Sequence, residues 1–149
     1  MASRYLLFEA SGLTLAAPAD LIRTVHEELV VQAVAGTRKW FLGLAVAHGK
    51  LLPVTDMGAF AGRRSSKGRT LELSDSAGIG ALQVDTVFGL SSAPVTDVPM
   101  TDREVAQVGD NKLALSARAM VFDERIHRLL DLAALVQSPA FLNIAETSH

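Results

Sequence analysis

Asp56 and Asp131 are the two carboxylates best placed for general acid–base work, since they stand at corresponding positions of two similar stretches of chain. Each also sits just before a short apolar run of helical character. There an aspartate oxygen accepts otherwise unpaired backbone N–H groups, a role worth about 1 kcal/mol, and capping is the reading adopted for both. The four histidines, His26, His48, His127 and His149, offer imidazole for a metal ion, but no two have the three-to-five-residue spacing of a local ligand pair. On that ground no metal and no cofactor is expected. His127, beside Arg128, reads as solvated in a strand; His149 is terminal; His48, beside Gly49, reads as a turn residue or part of a binding surface. Serine nucleophile patterns are missing: there is no G-x-S-x-G elbow, and Ser65-Ser66-Lys67 lacks the S-x-x-K spacing. Gly78-Ile79-Gly80 is not followed by the third glycine of a dinucleotide fingerprint, and there is no G-x-x-x-x-G-K-[ST]. No catalytic residue is left, and the chain is read as a non-enzyme.

The elements around these residues follow from composition. A chain of 149 residues with 49% hydrophobic and 20% charged side chains has the material for one core of ordinary domain size. Lys and Arg total 14 against 16 for Asp and Glu, a net charge of −2, which argues against a phosphate-tracking nucleic-acid binder. Arg63 to Arg69 carries four positive charges in seven residues but no aromatic side chain to stack a base, so it reads as a solvated, mobile loop. Cysteine is absent, which removes disulfides and thiolate chemistry and fits a reducing compartment. The apolar run Tyr5-Leu6-Leu7-Phe8 is too short for a signal-peptide core, and no stretch reaches the roughly 18 apolar residues of a membrane span. A cytoplasmic protein without membrane insertion is expected.

Glycine and proline divide the chain into apolar runs of about four to eight residues, the length of strands, so the class is mainly β. Tyr5–Phe8 and Leu13–Ala17 predict a hairpin around Ser11-Gly12, closed by Pro18. Asp20 to Val34 has helical spacing at Leu21, Val25 and Leu29, but six β-branched residues favour a strand, which is the reading taken. Trp40–Ala47 and Lys50–Val54 predict a second hairpin around His48-Gly49, with Pro53 pointing to an edge or a bulge. Asp56 opens a short helix to Ala61, ended by Gly62. Leu71–Leu73 pairs with Ile79–Val84, which continues to Val87 and Phe88, and Leu113–Phe122 pairs with Arg125–Leu130 around Asp123-Glu124. Sliding Gly43–Ala61 by 75 positions onto Arg118–Val136 aligns Val46 with Val121, Leu51 with Ile126 and Asp56 with Asp131, so two halves of similar build are implied. Ser138-Pro139 opens a last short helix in which Phe141, Ile144 and Ala145 share a face.

Three segments in order resemble the CheW family of chemotaxis coupling proteins: Trp40 to Met57, with a strand, a turn at glycine and P-V-T-D-M; Gly80 to Val87, G-A-L-Q-V-D-T-V; and Leu129-Leu130-Asp131-Leu132. The resemblance implies two packed five-stranded β-barrel subdomains of SH3-like type within one domain over residues 1–136, followed by a short helical tail over 137–149. It also implies an adaptor without enzymatic activity. Such an adaptor links the cytoplasmic tips of methyl-accepting chemoreceptors to the regulatory domain of a CheA-like chemosensory histidine kinase. By position it points to Ile22, Val25, Val84 and Val87 as residues of a hydrophobic groove for the receptor helix, and His48 joins them as a partner-contact residue. Two departures stand out: His48 occupies the place of the family's usual arginine, and Leu21 that of a frequent glutamate, so a surface ion pair common in the family is expected to be absent. The tail from Ser138 to Ala145 resembles the PilI branch, which serves type IV pilus twitching motility. Two other readings stay open: a small β-barrel that binds a ligand or peptide outside signalling, and, more weakly, an OB-like nucleic-acid binder.

Overall fold

The computed structural model describes residues 4–102 and 115–145. The chain begins with a hairpin, β1 (Tyr5–Ala10) and β2 (Leu13–Pro18), then crosses through a 3₁₀ turn at Ala19–Leu21 into β3 (Ile22–His26). A second hairpin, β4 (Phe41–Ala47) and β5 (Lys50–Asp56), leads into α1 (Met57–Phe60), followed by β6 (Thr70–Leu73) and β7 (Ala81–Gln83). Then come β8 (Thr86–Ser91), β9 (Thr96–Asp97), a third hairpin of β10 (Leu115–Phe122) and β11 (Arg125–Leu130), α2 (Leu132–Gln137) and α3 (Pro139–Leu142).

The β class is as expected. Among the described residues the strands form an open six-stranded sheet, β8-β1-β2-β11-β10-β9, and an open five-stranded sheet, β3-β6-β7-β5-β4, in place of two closed five-stranded barrels. Each sheet holds one copy of the echoed unit. Hairpin β4–β5 ends in a strand that pairs in parallel with β7, and hairpin β10–β11 ends in a strand that pairs in parallel with β2. Each hairpin then feeds a short helix whose first N–H groups need a partner. Asp56 accepts from Ala59 N at 3.1 Å and Asp131 from Ala134 N at 3.0 Å, the capping arrangement expected of both.

All three hairpins use two-residue turns with both residues at positive φ: Ser11 and Gly12, His48 and Gly49, Asp123 and Glu124. That backbone twist matches the right-handed twist of the flanking strands. Pro53 is a correction, because it sits in the central strand β5. Leu44, directly opposite, exchanges both its backbone bonds with Gln32 on its other side, and the parallel ladder with β7 begins only at Val54. The ladders on either side therefore require no donor from residue 53. The expected strand over Asp20–Val34 ends at His26, and beyond it only Gln32 pairs, in a lone bridge to Leu44. A side chain on Gly43 would overlap the Gln32 backbone, so this segment crosses β4 at close range rather than extending β3.

One apolar core fills the space between the sheets, with Leu6, Phe8 and Leu15 from one side, Leu71 and Leu82 from the other, and Met57, Phe60, Leu132 and Leu135 from the helices. Phe141 of α3 joins Trp40 and Phe60 at ring centroid distances of 6.2 and 5.5 Å, so the tail packs onto the α1 end of the core. Ile144 and Ala145 lie beyond α3, where Ala145 bridges Thr37, rather than on the face of a longer helix.

Three further expectations change in three dimensions. Residues 83–88 do not form one strand: Val84 bonds to the backbone of Gly68 and Arg69 in one sheet, while Asp85 N donates to Glu9 O in the other. The chain changes sheets across these two residues. Arg63–Arg69 is not a free loop, since Ser66 is buried, with its N–H on Asp56 and its hydroxyl on Asp85. His127 and Arg128, expected in solvent, are 1% and 4% exposed. The Arg128 guanidinium is enclosed by the carbonyls of Val98, Pro99 and Ala117. His127 stands edge-on to Phe88, and among the described residues its Nδ1 has no hydrogen-bond partner. The segment expected to start β10 at Leu113 lies partly outside the described residues.

Asp85 is the polar counterpart of the core. Burial works against its charge, but the N–H groups of Ser11 and Lys67 at 2.6 and 3.1 Å, the Ser66 hydroxyl and the Arg64 charge outweigh it and hold the carboxyl below the ordinary range. Asp85→Asn turns an NH₂ group toward these donors, and chemical denaturation at neutral pH is expected to show a loss of about 1.5–3 kcal/mol. A carboxyl with a lowered folded pKa stabilises above the ordinary aspartate value of about 3.9 and less as pH falls. The gap between wild type and variant should therefore close on acidification. For His127, burial lowers the pKa, a bond to the Leu15 backbone raises it, and the Arg125 charge lowers it further, the net direction being down. Its neutral form is the folded form, so wild-type stability relative to His127→Leu should decline as pH drops below about 6.5.

Candidate functional site

Where the two sheets part, an open groove of about 940 Å³ runs between the start of β1, the end of β2, β3 and β8. Tyr5, Leu6, Ile22, Val25 and Leu90 supply its apolar lining, with Arg4, Asp20 and Arg23 among the charged residues along it. The groove exists because the chain leaves β2 at Pro18 and enters β3 at Ile22 on the opposite sheet. This leaves the first sheet's edge strand β8 facing β3 with no ladder between them.

The four apolar residues expected to form a partner groove separate here. Ile22 and Val25 line it. Val84 is 0% exposed in the core, where it holds the crossover, and so offers no surface to a partner. Val87 is partly buried against the same core, opposite Phe8 of β1. Leu90, two strand positions past Phe88, is 53% exposed and contributes to the groove. Sequence reading passed over it because a single leucine among Gly89, Ser91 and Ser92 carries no periodic signal.

Two further apolar surfaces lie at hairpin tips. Val46 and Leu51 face each other across β4–β5, and Val121 and Ile126 across β10–β11, all four exposed. These are the pairs that the 75-residue echo aligns, so both halves present an apolar cross-strand pair at the same point of the hairpin.

His48 lies at the first of these tips, and its side chain has a partner after all. Its Nδ1 approaches Oε1 of Glu72 on β6 at 2.9 Å, and His26 Nε2 of β3 approaches the same oxygen at 2.8 Å. Arg23 Nε lies 3.8 Å from Oε2. Glu72 is 1% exposed. Burial raises the cost of its charge, but the two imidazole hydrogen bonds and the charge they bring outweigh it, so the carboxyl is held below the ordinary range. Leu21 offers no carboxylate to position 48, and the one that His48 meets comes instead from β6. Neither Glu72 nor Leu90 was singled out from sequence, since a lone glutamate in T-L-E-L looks like the solvent side of an ordinary strand.

Asp56 and Asp131, weighed as an acid pair, serve separate helices, and Asp56 also accepts the Ser66 N–H and the Ser65 hydroxyl. The arrangement presents an open groove with an apolar lining and two exposed apolar hairpin tips. A pair of denaturation curves separates groove from core. Val84→Asp should cost about 3–5 kcal/mol by leaving an unpaired charge in the core, whereas Leu90→Asp should stay within about 1 kcal/mol of wild type.

Comparison with known proteins matches residues 4–140 to the CheW-like domain family. Among curated proteins none matches. The crystal structure of the scaffolding protein TtCheW from Thermoanaerobacter tengcongensis is similar at a TM-score of 0.74 and 16% sequence identity, over 94% of this chain and 96% of that one. No helix among the described residues is long and apolar enough to cross a membrane.

Proposed function

The chain belongs to the CheW-like domain family, and from that premise we propose that it is a non-enzymatic scaffold that couples methyl-accepting chemoreceptors to a CheA-like histidine kinase. The observation that carries the reading is the open apolar groove at the seam of the two sheets, in a domain matched along nearly its whole length. A groove lined by Tyr5, Leu6, Ile22, Val25 and Leu90 suits the apolar face of one helix, laid in at helical spacing, and the receptor tip is the helix assigned to it. The β4–β5 tip, with Val46, His48 and Leu51, is assigned to the regulatory domain of the kinase. Mechanism is then association alone: holding both partners in one geometry lets receptor states that differ in affinity shift the kinase equilibrium. The groove is open to solvent rather than an enclosed cavity, which favours a helix over a small sequestered ligand. The resemblance of the tail to the PilI branch supports type IV pilus twitching motility as the output and the cytoplasm as the location.

Calorimetric titration tests the assignment. Wild type is expected to bind a receptor-tip fragment and the regulatory domain of one chemosensory kinase at micromolar affinity, with the kinase of a pilus system preferred over that of a flagellar one. Leu90→Glu should weaken receptor binding by more than about tenfold and leave kinase binding in place, since a glutamate carboxylate would be desolvated against an apolar helix. Full receptor affinity in a folded Leu90→Glu protein would remove the groove assignment. Failure to bind any chemosensory kinase would remove the scaffold reading.

A further inference from the structure

The side-chain cluster at Glu72 has a property that a partner surface does not need. His26 comes from β3, His48 from the β4–β5 turn and Glu72 from β6, and each offers one ligand atom within 4.8 Å of the others. Both ring nitrogens converge on a single carboxylate oxygen, at 2.8 and 2.9 Å, with the two rings inclined at 51° and their centroids 6.1 Å apart. Two imidazoles and a carboxylate are the donor set that borderline divalent transition-metal ions prefer, whereas magnesium and calcium prefer oxygen alone.

We propose that His26 Nε2, His48 Nδ1 and Glu72 form a binding site for one divalent transition-metal ion of the zinc type, with water completing the coordination on the exposed side of His48. Bonds of about 2.0–2.2 Å to a tetrahedral ion place ligand atoms about 3.3–3.5 Å apart. Each imidazole–carboxylate pair therefore opens by about half an ångström to admit the metal, a shift within the reach of side-chain rotation. His48 is the ligand with most room, its side chain being 40% exposed, while Glu72 is the anchor, fixed in a fully buried strand. Of the nearby cations, Arg23 is a competitor at 3.8 Å, but its side chain is also 40% exposed and free to turn outward. Lys50, next in the hairpin, is engaged by Asp75. Ion binding would tie β3, β6 and the β4–β5 turn together, joining one wall of the groove to one hairpin tip, and it stands independently of the scaffold reading.

The test uses the untagged full chain, stripped with a chelator and titrated with zinc sulfate by calorimetry. One equivalent per chain is expected, and cobalt in place of zinc should give the visible absorption of a four- or five-coordinate ion. His48→Gly suits the left-handed turn position, where φ is 51°, and so removes the ligand without straining the hairpin. It should weaken zinc binding at least about tenfold, and any drop in its melting temperature in chelator reads separately the loss of one hydrogen bond to Glu72. His26→Gln provides a second, independent removal of a ligand. Absence of stoichiometric zinc binding overturns the proposal, as does zinc binding that survives both substitutions unchanged, which would place the ion elsewhere.

Discussion

The Asp85 carboxylate is the constraint around which the two sheets are organised. It follows Val84 at the point where the chain passes from β7 to β8, with one residue's backbone in each sheet. A crossover this short leaves little backbone to satisfy the polar groups around it, and the carboxylate meets that need by accepting from Ser11 in the first hairpin turn and from Ser66 and Lys67 in the loop beyond α1. Ser66 in turn accepts from Gly58 N and donates its own N–H to Asp56, the cap of α1. Hydrogen bonds to an ionised acceptor are the stronger kind, and two segments far apart in sequence donate to this one. The network ties the sheets at the Glu9–Thr86 end of the β1–β8 pair, and the groove opens at the other end, where Leu6 pairs with Leu90 and Tyr5 with Ser91.

The duplicated build shows which part of the echo is physical. In both halves a two-residue turn at positive φ, a parallel partner for the second strand and an aspartate cap recur together. Each feature satisfies a local requirement, and a unit that satisfies all three can recur with only a few identical residues. What differs is the charge each half encloses. The first half buries Glu72 against two histidines, and the second buries Arg128 against backbone carbonyls and His127 between aromatic rings. A buried charge needs a complete set of partners, so Glu72 and Arg128 are tied to their surroundings more tightly than the apolar residues beside them.

The surfaces assigned to partners lie on this frame without being part of it. Leu90, Val46 and Leu51 are exposed and make no polar contact that the fold relies on, whereas Ile22 and Val25 are shared between groove and core. That division lets one surface be changed while the domain stays folded. The Glu72 cluster is the exception, since it links a wall of the groove to a hairpin tip through side chains that are also structural.

Local signals in the sequence determined the β class, three hairpin turns, both aspartate caps, the Ser138-Pro139 helix start and the repeat, because each depends on the conformational preferences of a few adjacent residues. Family resemblance added Ile22 and Val25 as groove residues. Only the tertiary structure decided that Val84 belongs to the core, that Leu90 faces the groove, that Ser66 is buried in a loop of basic residues, and that His127 and Arg128 are enclosed. It alone brought His26, His48 and Glu72 to one point from three separate strands and turns. The reason is that burial of a polar group is set by its distant partners. An isolated aspartate, glutamate or histidine in a short strand has the same local pattern whether it faces water or a carboxylate contributed from elsewhere in the chain.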